Sequence, residues 1–155
     1  KEDAVINLFE STGVLSPKEL ASRFEVYAEQ YILAIEVEAK LVIDIATTKI
    51  YPTAITYLSN LTSTSSSLSN MGINLDSSGI ESVASEANAM MATVKQLSSA
   101  LEQHEFGSEE EHMKHCSEVL CTLMLEVRGH ADTLEGLVDD ELWPLPKYQE
   151  MMFIK

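Results

Sequence analysis

Residues 16–51 read SPKELASRFEVYAEQYILAIEVEAKLVIDIATTKIY, and this stretch decides the fold. It contains no glycine, and no proline after Pro17. Ser16 and Glu19 form a capping-box pattern, in which each side chain bonds the backbone N–H of the other, and Pro17 is tolerated at the first helical position. The stretch therefore predicts a helix of about 36 residues, roughly 54 Å long at ~1.5 Å per residue.

Two adjacent apolar stripes run along this predicted helix. Apolar residues recur in steps of three and four, which is the pattern of a helix that buries one side. Two stripes side by side form a face wide enough for more than one neighbour, so we expect this helix at the centre of a bundle. The first stripe comprises Leu20, Phe24, Tyr27, Tyr31, Ala34, Leu41 and Ile45, and the second comprises Ala28, Ile32, Ile35, Ala39, Val42 and Ala46.

Two further predicted helices each carry a coiled-coil-like seam. The first is expected to start with a capping box at Ser78–Glu81 and to end at Gly107, and the second opens at Ser108 with three glutamates near the positive end of the helix dipole. A short turn between two seams of matching length predicts an antiparallel hairpin. The seams are Ile80, Val83, Ala87, Met90, Val94, Leu97 and Leu101, then Met113, Cys116, Leu120, Leu123, Val127, His130, Leu134 and Leu137.

Packing this hairpin on the long helix predicts an all-α, antiparallel three-helix bundle at residues 16–142. A kink is expected at Pro52, which has no N–H to donate. From 59 to 79, serine, threonine and asparagine side chains compete for backbone hydrogen bonds, so the helix is expected to fray there into a Ser-rich connection. Residues 1–15 are interpreted as a short helix and turn that end an upstream region, and 143–155 as an extended tail.

Charge and composition restrict the class of protein. Twenty-five acidic and ten basic residues give a net charge of −15, which disfavours nucleic acid and anionic membranes as partners. Residues 50–75 are uncharged, but their serine, threonine and asparagine content excludes a membrane helix. Cys116 and Cys121, five apart on one predicted helix, are expected to point to different sides, so a disulfide is disfavoured and the thiols suit a reducing compartment. With no secretory leader visible, these features predict a cytoplasmic protein.

Histidines provide the patterns closest to a chemical motif. Glu109-x-x-His112 and His112-x-x-His115 place possible metal ligands one turn apart, but a di-iron bundle needs two Glu-x-x-His motifs, so solvated helix-start residues are the favoured interpretation. His130 is expected to be a buried, neutral member of its seam. Phosphate-binding loops, Gly-x-Ser-x-Gly and Cys-x-x-Cys do not occur in the sequence. We therefore predict no catalytic, metal or cofactor-binding residue.

Two blocks of the sequence resemble the C-terminal region of type III glutamine synthetases. In that family a helix follows a Gly-Val-Leu/Phe-Ser turn and enters with Ser-Arg-Phe/Tyr-Glu, and the chain closes with Trp-Pro-Leu-Pro and a Met-x-Phe-Ile-basic tail. The matching positions here are 13–16, 22–25, 143–146 and 151–155. The resemblance implies the helical C-terminal domain of a glutamate–ammonia ligase, whose glutamate, ATP, ammonia and divalent-metal sites lie upstream of Lys1.

The resemblance also implies a role in packing, assembly or subunit contacts rather than in chemistry. The implied partners are the upstream catalytic region of the same chain and neighbouring identical subunits, and ATP and Mg²⁺ are implied for the parent enzyme alone. A start at Lys1 without methionine favours a piece of a longer protein. The alternative is a free-standing acidic helical bundle that binds a partner or a ligand.

Both apolar ends of the chain are predicted docking sites. Pro144 and Pro146 cannot continue a helix, so the chain is expected to leave the bundle after residue 142. Water would penalise the apolar side chains that follow, and we expect them to dock on the upstream region or an adjacent subunit. The alternative is a tail that folds back on its own bundle. The predicted docking residues are Phe9, Trp143, Leu145, Tyr148, Met152 and Phe153.

Overall fold

The computed structural model describes residues 3–146, 150 and 152, and within this part of the chain the regular structure is entirely helical. The all-α prediction is thus confirmed, and the helices pack as a bundle. Two π-helical turns, Ala46–Ile50 and Cys116–Leu120, join α2 to α3 and α5 to α6 without a break. The α-helices are α1 Asp3–Ser11, α2 Pro17–Ile45, α3 Tyr51–Asn70, α4 Ser78–Leu101, α5 Glu109–His115 and α6 Cys121–Glu135.

The predicted capping box at the start of α2 is present. The Ser16 N–H donates to Glu19 Oε2 over 2.9 Å, and the Glu19 N–H donates to Ser16 Oγ over 3.3 Å. The Ser16 hydroxyl also donates to Glu19 Oε2, over 2.7 Å, and this bond, followed by the bond from the Ser16 N–H, lowers the pKa of the Glu19 carboxyl. The stabilisation from Glu19 is therefore present above the ordinary glutamate pKa and is lost as the pH falls through the lower folded value.

The helix passes Pro52 through a π-helical turn. The Tyr51 N–H bonds the carbonyl of Ala46, five residues earlier, so the ladder has already widened where the N–H of Pro52 is missing. The Thr47 and Thr48 hydroxyls each donate over 2.7 Å to the carbonyl four residues before them. The predicted disturbance at Pro52 thus takes the form of a π-turn on its N-terminal side.

The helix was expected to fray from residue 59 onward, and this expectation is wrong. In the structure α3 continues through the Ser-rich segment to Asn70. The hydroxyls of Thr62, Thr64 and Ser67 donate to carbonyls four residues earlier, which leaves the helical ladder intact. Two residues after the end of α3, Gly72 has a φ of +80°, which suits glycine, and its N–H donates to the Ser69 carbonyl. The connection is therefore limited to residues 71–77.

The starts of α4 and α5 differ in how they are capped. The predicted box at Ser78–Glu81 is wrong, because Asp76 precedes the helix and its carboxylate accepts both the N–H and the hydroxyl of Ser78. These bonds, chiefly the one from the hydroxyl, lower the pKa of the Asp76 carboxyl. The predicted start at Ser108 is confirmed, since its hydroxyl accepts the N–H of Glu111.

The core lies where the second stripe of the long helix meets the seams of the hairpin. The small side chains Ala39, Ala46 and Ala54 are almost fully buried and allow the hairpin to approach closely. Leu97 and Leu134, from α4 and α6, are also fully buried. The residues of the first stripe do not all face the core. Tyr31 and Ile45 pack on it, while other members of the stripe point towards solvent. Its outward members are Tyr27, Ala34 and Leu41.

Candidate functional site

The predicted docking residues at the C-terminal end lie against the bundle itself. Trp143 is only 9% exposed and belongs to the core cluster, and Leu145 packs against that cluster. The expectation that the chain leaves the bundle after residue 142 is therefore wrong for these two residues. The chain is no longer helical there, but its side chains still pack on the core. The tail folds back as far as Leu145. Tyr148 and Phe153 lie outside the described residues.

The remaining docking candidates present apolar surface. Met152 is 73% exposed, and on α1 Leu8 is 60% exposed and Val5 42%. Phe9 is half-buried, since α1 packs against α2. Val5 and Leu8 are three residues apart, so they share one side of α1. Next to the predicted Phe9, α1 thus presents two exposed apolar side chains on one side.

His130 is the centre of a polar contact between α4 and α6. Its Nδ1 lies 2.6 Å from Glu86 Oε1, and its Nε2 lies 3.4 Å from Thr93 Oγ1. Because the imidazole side chain is 27% exposed, the expectation that His130 is buried is wrong. The order carboxylate, imidazole, hydroxyl matches that of a nucleophile relay, but the Thr93 side chain is buried where no substrate reaches it. The contact ties two helices together.

Replacing His130 with leucine is expected to lower the free energy of unfolding by about 1–2 kcal/mol, because it removes a hydrogen bond to a carboxylate. A histidine without partners in an apolar seam would instead predict little cost or even stabilisation. Urea denaturation followed by circular dichroism measures the change. His104→Leu, at an exposed histidine, is the matched control and should change stability little. A His130→Leu variant as stable as the parent would show that the contact contributes nothing.

His112 and His115 each have a structural partner. His112 Nε2 lies 3.2 Å from Glu36 Oε1 on α2, and its ring stacks on Phe106 with centroids 4.2 Å apart. His115 Nε2 lies 3.0 Å from the carbonyl of Ala100 at the end of α4. The interpretation of these histidines as solvated is therefore corrected, since they connect α5 to both neighbouring helices. Within the described ranges, no group of three or more metal-binding side chains is close enough to hold an ion.

The second π-turn brings the two cysteines into one neighbourhood. The Cys121 N–H bonds the carbonyl of Cys116, and both thiols are free and lie near Tyr31. An α-helix would have pointed the two thiols to different sides, so the expectation that they point apart is wrong. Burial chiefly raises the pKa of the Cys116 thiol, and Glu36 adds to this. Cys116 is thus held as an unreactive thiol.

A face of α2 that points away from the core was missed by the sequence analysis. We call it the outer stripe. The exposed fractions of its valine and leucine side chains lie between 48% and 61%. Ala34 and Leu41 had been assigned to the first stripe, whereas the apolar residues Val26, Leu33 and Val37 had been assigned to neither stripe, although their steps of three and four are visible in the sequence. The outer stripe comprises Val26, Gln30, Leu33, Ala34, Val37 and Leu41.

None of the helices in the described part of the chain combines the length and the apolar character that a membrane span needs.

Comparison with known proteins agrees with the resemblance seen in the motifs. Residues 1–69 match the family described as glutamine synthetase C-terminal domain. The type-3 glutamine synthetase of Dictyostelium discoideum is 30% identical over 159 residues, which cover 97% of this chain and 22% of that protein. A glutamine synthetase of Bacteroides fragilis (strain YCH46) is 29% identical over 151 residues, covering 92% and 21% respectively. The chain spans about a fifth of the length of these curated relatives and matches their C-terminal part.

Proposed function

This chain carries a glutamine synthetase C-terminal domain, and we propose that it acts as the helical C-terminal domain of such an enzyme, contributing packing and subunit contacts rather than reacting groups. The observation that carries the proposal is the coverage of the match. Nearly the whole chain aligns with the C-terminal part of type-3 glutamine synthetases, while most of each relative has no counterpart here. The parent reaction that we propose is the ATP-dependent ligation of ammonia to glutamate.

The use of the polar side chains supports a structural role. His112 and His130 each contact a carboxylate, and each of these contacts joins two helices. Cys116 is buried, and burial raises its pKa away from the reactive range. These residue types serve as bases, nucleophiles or metal ligands in enzymes, and here each is committed to the bundle.

The apolar surface of α1 supports docking of this domain on another part of the enzyme. Val5 and Leu8 share one exposed side of a short helix, a position where water penalises them. We propose that the upstream catalytic region or a neighbouring identical subunit covers this side in the complete enzyme. ATP and Mg²⁺ would be held by that catalytic region, and we place the enzyme in the cytoplasm, where Cys116 and Cys121 stay reduced.

The proposal predicts that the isolated chain does not bind Mg-ATP. Phosphoryl transfer relies on a cradle of backbone N–H groups and on carboxylates that hold magnesium, and the sequence has no phosphate-binding loop. Isothermal titration calorimetry of the chain with ATP and MgCl₂ should therefore show no saturable heat, whereas the complete enzyme under the same conditions should. Saturable binding in the micromolar range by the isolated chain would contradict the assignment of catalysis to the rest of the protein.

A further inference from the structure

The outer stripe lies on the side of α2 opposite the bundle core. Ala28, Ile32 and Ala39 on the same helix are buried, and the outer stripe lies half a turn away from them. From Val26 to Leu41 it extends roughly 22 Å at ~1.5 Å per residue. Gln30 is the one polar member of the outer stripe, and a mainly apolar surface of this length on a folded protein marks an interaction site more often than an accident of composition.

The outer stripe contains no charged residue, but each of its ends is charged. Arg23 lies on the same side of the helix ten residues before Leu33, and Asp44 lies ten residues after Ala34. Both side chains are exposed. The pattern is therefore symmetrical in position and opposite in charge about a point between Leu33 and Ala34.

We propose that the outer stripe is a self-association surface, on which a second copy of this chain packs with its α2 antiparallel to the first. A twofold axis between Leu33 and Ala34 places Val26 of each copy opposite Leu41 of the other. The same axis places each Arg23 opposite an Asp44. A parallel pairing would instead bring like charges together, so the charge pattern selects the antiparallel arrangement.

The contact is expected to be reversible and weak. The outer stripe contributes six residues from each copy, whereas a standard stable interface has roughly 20–30 residues a side. Each copy also carries a net charge of −15, and this repulsion opposes association at low salt. The two Arg23–Asp44 pairs offset only part of that repulsion, because exposed ion pairs contribute little individually. We therefore expect a dissociation constant for the dimer in the micromolar to submillimolar range.

Sedimentation equilibrium of the 155-residue chain at moderate salt tests the association. The wild-type chain should show a reversible monomer–dimer equilibrium. Leu33→Asp/Val37→Asp should be monomeric with an unchanged circular dichroism spectrum, while Leu125→Asp, at an exposed leucine on α6, should dimerise like the wild type. A wild-type chain that stays monomeric at its highest soluble concentration would overturn the proposal and would assign the outer stripe to a different partner. That result would leave the proposed function standing.

A charge exchange tests the antiparallel register without touching apolar residues. Arg23→Asp alone should weaken dimerisation about tenfold, since it replaces two attractive pairs with two repulsive ones. Asp44→Arg alone should weaken it similarly. The double variant Arg23→Asp/Asp44→Arg should recover the wild-type dissociation constant. If the double variant is as weak as the single variants, the antiparallel pairing is wrong.

Discussion

Replacing Trp143 with alanine is expected to lower the free energy of unfolding by about 3–5 kcal/mol, the usual range for a large aromatic residue removed from a core. Trp143 is 9% exposed and packs in the same cluster as Leu134 and Val138. It follows α6, so its indole reaches the core from irregular chain rather than from a helix. Alanine would leave a cavity that the rigid helices on either side cannot refill. Urea denaturation followed by circular dichroism gives the change.

Met152→Ala is the control for this substitution. Met152 belongs to the same tail but is 73% exposed, so its truncation should change stability by less than about 0.5 kcal/mol. The rival account, in which the tail from residue 143 docks elsewhere, requires both variants to be as stable as the wild type. Equal stability of the two variants would therefore restore docking for Trp143.

The parts of the fold that sequence predicted well are those set by local periodicity. The second stripe of the long helix and the two hairpin seams are buried largely as expected, because a side chain's position around a helix follows from its residue number. The box of Ser16 and Glu19 was predictable for the same reason, since both partners lie within one turn. Local patterns of this kind can be recognised in the sequence without any knowledge of the tertiary structure.

The errors arose where one local signal was given too much weight. Serine and threonine side chains do compete with the backbone, but on an established helix Thr62 and Ser67 return their hydroxyls to carbonyls of the same helix. Similarly, Pro144 and Pro146 do prevent a helix, yet α6 has already ended at Glu135, and the irregular chain that follows still covers the core with Trp143. Neither outcome depends on local preference alone.

The polar contacts of the candidate site could not be predicted because they join distant residues. Glu36 and His112 come from α2 and α5, and Glu86 and His130 from α4 and α6. The π-turn at Cys116–Leu120 adds a second difficulty, because it shifts the phase of the helix within a few residues and has no distinctive sequence. Both effects depend on how complete helices pack.

The largest functional effect is expected from the exposed side of α1. In the complete enzyme, Val5→Asp/Leu8→Asp would place two carboxylates in the apolar contact that we propose for this helix. Burying unpaired charges costs several kcal/mol, so association should weaken by more than about tenfold. In the isolated chain both positions are exposed, and the melting temperature should change little. Glu10→Gln, at an exposed position on the same helix, is the control for a change that alters surface charge alone.

The native mass of the complete enzyme, measured together with its rate of glutamine formation, tests the central claim most directly. The account predicts that the Val5→Asp/Leu8→Asp enzyme is smaller than the wild-type assembly or forms glutamine much more slowly, while Glu10→Gln leaves both quantities unchanged. A Val5→Asp/Leu8→Asp enzyme with wild-type mass and wild-type rate would contradict a role of this domain in packing or assembly through α1.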